Sequence, residues 1–232
     1  MLGGYPQLSA TDLKGSAAFL AKLRRLHPHP SSHYPGRGVG GAEGGEEVGG
    51  MMEGRGGGGG GGGEFSGILS RGVDCGTGIG RVTAGFLSSV CEVVDAVEPI
   101  ESFAAKARVA DMKGPGRVGE VYVVGLQDWV PEGRYDVIWA QWCLGYLRDG
   151  QVVEFLRRCK GVLGEGGWVV VKENVVGQGG DCFDEGDRSV TRSEEKWRML
   201  FREAGLRVVR GEWQRGFPRG IYGVRMWGLR GA

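Results

Sequence analysis

Apolar residues recur at two different periods along this chain, and the change from one to the other marks its elements. Leu13, Ala17, Leu20 and Leu23 fall three or four apart, which predicts a helix within residues 1–26, with Ser9, Thr11 and Asp12 as cap residues at its start. From residue 68 onward, short apolar runs alternate with helical stripes. Strands are predicted at 68–74, 92–98, 118–124, 135–140 and 168–171. Helices are predicted at 81–90, from Pro99 to about 111, at 149–163 and at 193–204. Two further β-rich runs, 206–214 and 221–229, close the chain with no helix between them. Alternation of this kind implies an α/β fold whose mostly parallel sheet is covered by helices on both faces, with an antiparallel hairpin at one edge.

Composition divides the chain further. Of its 232 residues 48 are glycine, including an unbroken run from Gly56 to Gly63. Residues 27–67 offer almost nothing to bury and are expected to form a disordered insert between an N-terminal segment (1–26) and the main domain (68–232). All three histidines, His27, His29 and His33, fall in that insert. Charge is balanced, with 29 basic and 28 acidic residues. The longest basic clusters are the pairs Arg24-Arg25 and Arg157-Arg158, so direct nucleic-acid binding is not expected. The five cysteines never form a C-x-x-C pair, which argues against a disulfide framework or a structural metal site and for a reducing compartment. No apolar run approaches ~20 residues and no secretory leader opens the sequence, so a soluble intracellular protein without a membrane anchor is expected.

The chemistry begins after the first strand. Asp74-Cys75-Gly76-Thr77-Gly78-Ile79-Gly80 places glycines where a backbone must turn sharply and approach a ligand. Its spacing is G-x-G-x-G behind an acid, not the G-x-G-x-x-G of dinucleotide sites. An acid at the entrance disfavours a pyrophosphate and suits an ammonium or amide group, such as the methionine part of S-adenosylmethionine. Glu98, at the end of the second strand, can accept hydrogen bonds from two ribose hydroxyls. Leu126 and Gln127 follow the third strand, where a side-chain amide can meet an adenine edge. A glycine turn alone would be only a tight connection; loop and strand-end acid together point to a nucleoside cofactor.

The later segments are more specific. The run from Asp136 to Leu147, containing Trp139-Ala140-Gln141-Trp142, resembles the signature of the protein α-N-terminal methyltransferases. Met1-Leu2-Gly3-Gly4-Tyr5, Phe155 to Lys160, Val171-Lys172-Glu173-Asn174 and Ile221-Tyr222 resemble other stretches of the same family. The likeness spans the chain except for the insert. It implies a Rossmann-like class I methyltransferase with a mostly parallel seven-stranded sheet, transferring methyl groups from S-adenosylmethionine to the free α-amine of Xaa-Pro-Lys N-termini. Carried over by position, it implies cofactor contacts from Gly76, Arg81, Glu98, Leu126, Gln127 and Gln141. It implies a peptide channel of Leu2, Trp142, Asp184, Ser189, Ile221 and Tyr222, with Asn174, Asp187 and Tyr146 at the reacting amine. Tyr146 stands where the family has a histidine. The family also leads one to expect ribosomal proteins among the substrates, a monomer, and a place in cytoplasm and nucleus.

The residues keep other readings open. Trp139 reads as core, while Trp142 falls just past a strand end, where open α/β sheets bind ligands. Asp181 and Glu185 read as solvated acids, and the cysteines as small core hydrophobes. Family members carry a further stretch ahead of the Leu-Gly-Gly-Tyr segment, so either an upstream extension or a chain without that cover is expected. The rival functions are a class I methyltransferase of small molecules or RNA, and a non-catalytic binder of S-adenosylmethionine or peptides.

Overall fold

A computed structural model describes residues 6–27 and 67–232. Leu2 and residues 28–66, nearly all of the glycine-rich segment, lie outside these. The first helix, α1 (Ser9–Leu26), follows a short 3-10 turn at Pro6–Leu8. It starts without a side-chain cap, and the residues read as caps do other work. Asp12 is fully buried, as are Ser16, Phe19, Leu20 and Leu23, whereas Ala17 is exposed. The stripe therefore lies partly on polar positions, which an apolar period cannot reveal.

The main domain runs β1 (Leu69–Cys75), α2 (Arg81–Gly85), β2 (Cys91–Val97), α3 (Glu101–Arg108), β3 (Arg117–Tyr122), β4 (Tyr135–Gln141) and α4 (Asp149–Gly161). It continues with β5 (Leu163–Val176), β6 (Cys182–Asp184), β7 (Ser189–Ser193), α5 (Glu194–Glu203), β8 (Leu206–Trp213) and β9 (Gly223–Gly231). In the central sheet the order is β3-β2-β1-β4-β5-β9-β8. The first five strands are parallel, and β9 and β8 run antiparallel beside β5. This is the seven-stranded mixed sheet expected from the sequence. Helices pack on both faces: α1 and α2 cover one, where Phe19, Leu23 and Val82 meet Trp139 and Trp168. On the other, α4 and α5 bring Phe155, Trp197 and Phe201 against Val169, Val171 and Trp227.

Two departures from the sequence reading matter. The helix expected over 81–90 stops at Gly85 and gives way to a 3-10 turn at Leu87–Ser89; α1 passes close there, since a Cβ on Gly85 would lie 2.6 Å from Leu13 Cδ1. The acidic segment after β5, for which no helix or strand is predicted, is an antiparallel hairpin, β6 with β7. It joins the sheet where β7 pairs in parallel with the far end of β5, Val175 with Arg192 and Val176 with Ser193. That extension needs β5 to run 14 residues, far beyond the expected four.

Candidate active site

After β1 the chain turns through Gly76, Gly78 and Gly80, at φ values of +70°, +57° and +86°. Glycine takes this conformation without strain. At Gly76 space decides as well, since a Cβ would lie 2.4 Å from Cys143 Cβ. A Cβ on Gly78 would meet nothing within 4 Å; it would stand in the open cleft that the loop borders. Asp74 holds this loop from inside. Its Oδ2 accepts hydrogen bonds from Thr77 Oγ1 at 2.9 Å, from the Thr83 amide at 2.9 Å and from Thr83 Oγ1 at 2.6 Å. Burial pushes its pKa up to about 6, against the pull of those bonds. The acid expected to meet a ligand ammonium is thus spent on the loop itself, and it does not line the cleft.

The cleft, about 1360 Å³, runs along the carboxyl ends of the parallel strands. Glu98, 6% exposed, lies just past β2. Its Oε2 accepts from the Gly78 amide at 2.9 Å and its Oε1 from the Ile100 amide at 3.0 Å. Both oxygens keep further lone pairs for two vicinal hydroxyls. Ile100, Phe103 and Leu126 give apolar wall for a base, with Gln127 beside them. A nucleoside with a short charged tail fits this set: carboxylate for the ribose, apolar wall for the base, a glycine loop without side chains for the rest.

Arg81 and Gln141 stand apart from that lining. Arg81 Nη1 pairs with Asp12 Oδ2 at 2.7 Å, and its guanidinium lies 5.6 Å from the ring centre of Trp142. Gln141 accepts from Trp139 Nε1 at 3.0 Å and donates to Asp12 Oδ1 and Oδ2 at 3.1 and 2.9 Å. Both expected cofactor residues are therefore gripped by α1 through an acid the sequence presents as a helix cap.

At the other expected subsite, the structure gathers Trp142, Tyr146, Asn174, Asp187, Ser189, Ile221 and Tyr222 on the same cleft. Asp184 is exposed, bonds to the Gly186 amide at 2.8 Å and does not line the cleft. Trp142 has φ +54°, an unusual conformation for a bulky residue, and its buried Nε1 has no partner among the described residues. Tyr146 is 58% exposed. Burial and the facing Asp187 carboxylate raise its pKa, so the phenol keeps its proton. The hairpin delivers Asp187 to this place. Arg192, 1% exposed, ties β7 to the turn carrying Tyr146: Nη1 donates to the Leu144 carbonyl at 3.0 Å, Nη2 to that of Leu147, and Nε to Asp149 at 2.9 Å.

Sequence reasoning missed Glu173, although it sits inside the Lys-Glu-Asn stretch. It lines the cleft at 5% exposure, and one oxygen accepts from the Cys143 and Leu144 amides, both at 2.9 Å. Burial raises its pKa to about 7 against those bonds and the pull of Arg192.

Residues 65–230 match the family of AdoMet-dependent proline di-methyltransferases. The chain belongs to that family. It is 37% identical over 231 residues to N-terminal Xaa-Pro-Lys N-methyltransferase 1 of Mus musculus, covering 99% of this chain and 87% of the mouse protein. With alpha N-terminal protein methyltransferase 1 of Drosophila melanogaster the identity is 35% over 229 residues, covering 97% and 68%. A SAM-dependent methyltransferase of Leishmania major has the same fold at TM-score 0.74 and 27% identity, covering 99% of this chain and 75% of that one. The cofactor of this methyltransferase is S-adenosylmethionine.

Proposed function

We infer that the protein methylates the free α-amine of protein N-termini beginning Xaa-Pro-Lys. One observation carries this reading: the nucleoside-binding features and the polar trio Asn174, Asp187 and Tyr146 open onto one continuous cleft. The names of its relatives agree with it. Bound S-adenosylmethionine supplies an electrophilic methyl on a sulfonium. Glu98 would hold the ribose, Leu126 and Gln127 the base, and Arg81 with Gln141 the amino-acid end.

The chain's remaining task is to present a neutral amine in line. An α-amine titrates at about 7.7–8.0, so releasing its proton near neutral pH costs only about 1 kcal/mol. Asp187 attracts the amine and accepts that proton; the protonated Tyr146 orients it; Asn174 bonds the peptide backbone. Trp142 offers an aromatic wall to the second-residue proline, whose fixed φ lowers the ordering cost of the peptide. Asp184, exposed on the hairpin outside the cleft lining, would pair with the third-residue lysine as that side chain extends outward. Incubating the protein with S-adenosylmethionine and an Xaa-Pro-Lys peptide should add methyl groups to the peptide, read by mass spectrometry as a gain in its mass. An N-acetylated peptide should gain none; equal labelling of both would refute the α-amine as acceptor.

A further inference from the structure

We propose that Asp12 is a positioning residue of the cofactor site: from helix α1 its buried carboxylate sets the orientation of Arg81 and Gln141. The inference rests on the reading above that those two residues meet the amino-acid end of the cofactor. Asp12 has no exposed surface, and a carboxylate is left in such a place only when its charge is answered. Here it is answered from three elements. Arg81 at the start of α2 reaches Oδ2 at 2.7 Å, Gln141 at the end of β4 donates to both oxygens, and Lys172 of β5 reaches Oδ1 at 2.5 Å.

Lys172 is itself fully buried. It also donates to the Asp12 carbonyl at 3.2 Å, to Ser16 Oγ at 3.0 Å and to Gln214 Oε1 at 2.8 Å. Gln214 in turn donates to the Thr11 carbonyl at 3.3 Å. The first turn of α1 is thus fixed by partners from four other parts of the fold. Gly15 allows the approach, since a Cβ there would lie 2.3 Å from Gln214 Oε1.

Two features turn this hub towards a ligand. Arg81 and Lys172 take different oxygens of the Asp12 carboxylate, so Lys172 answers part of its charge and Arg81 is not its sole cation. Arg81 spends only Nη1 among the described residues and is 24% exposed along its side chain, which leaves N–H groups for a second carboxylate. Asp12 therefore holds the guanidinium in one orientation before the ligand arrives, and the ordering cost is met in folding rather than on binding.

The test compares two ligands on the full chain by calorimetry: S-adenosylhomocysteine, and 5′-methylthioadenosine, which lacks the amino-acid end. Asp12→Asn keeps the shape but removes the charge and turns one N–H towards Gln141 or Lys172. It should weaken S-adenosylhomocysteine by tenfold or more while changing 5′-methylthioadenosine by less than twofold. Should that variant not fold, the paired change Asp12→Leu with Lys172→Met removes both charges and should give the same split. Equal weakening of both ligands, or unchanged affinity for S-adenosylhomocysteine, would overturn the positioning role. Failure of the parent chain to bind S-adenosylhomocysteine would instead overturn the reading of the cofactor site on which it rests.

Discussion

Asp187 and Glu173 are both carboxylates on the cleft, yet their surroundings give them different tasks. Asp187 is exposed, accepts from the Ser189 amide at 3.0 Å and faces the Tyr146 phenol. Changing it to Asn keeps the shape and removes charge and basicity, so kcat should fall by roughly 10²-fold with S-adenosylhomocysteine affinity unchanged. Tyr146→Phe should cost less, about threefold, because the phenol only orients. Steady-state rates and calorimetry on the two variants check this ordering. Glu173 is instead a titration held in the fold. Its pKa rises from 4.5 unfolded to about 7 folded, so the native state keeps a proton that the unfolded chain has lost between those values. The stability it contributes is full below pH 4.5 and is lost as the pH climbs through about 7. Glu173→Gln keeps an acceptor for the Cys143 and Leu144 amides without the charge. Melting curves should show the variant gaining on the parent from pH 5 to pH 8; a constant difference across that range would contradict the assignment.

Two elements bring the site together, and each is held by a small number of contacts. Helix α1 lies close over β9, where a Cβ on Gly228 would stand 2.4 Å from Leu23 Cδ2. Leu23 has no exposed surface and cannot swing away. Gly228→Val should therefore lift α1 and cost about 1–3 kcal/mol in denaturant unfolding, in the range of other overpacked cores. The β6–β7 hairpin depends on Arg192. Arg192→Met would leave the Leu144 and Leu147 carbonyls without that donor and free the hairpin from the Tyr146 turn. The peptide KM should rise severalfold while S-adenosylhomocysteine binds as before, because the glycine loop and Glu98 lie on other strands. Equal loss of both affinities would show that the hairpin braces the whole cleft.

At the scale of the molecule, one sheet carries both binding functions along one edge, as open α/β sheets do. Gly67, just after the glycine-rich stretch, lies against α1, where Arg24 donates to its carbonyl. Replacing residues 31–65 by a short Gly/Ser linker should leave the melting temperature and cofactor affinity unchanged, since that stretch holds little to bury. A marked drop in either would show that it packs on the domain. The sheet itself was legible from residue order alone. Apolar runs such as Val169-Val170-Val171, punctuated by glycines, allow few arrangements once each must be buried on both faces. The loop from Asp74 to Gly80 and the acid Glu98 were legible for the same reason, being local consequences of strand ends. The partners of Asp12, Glu173 and Arg192 were not. Asp12 meets Lys172 across 160 positions, and Arg192 meets Leu144 across 48, so no local period links them. A buried charge carries no mark in the sequence that separates it from a cap or a solvated face. Only the folded chain, by excluding water around it, decides which acids need a cation and which oxygens stay open to a ligand.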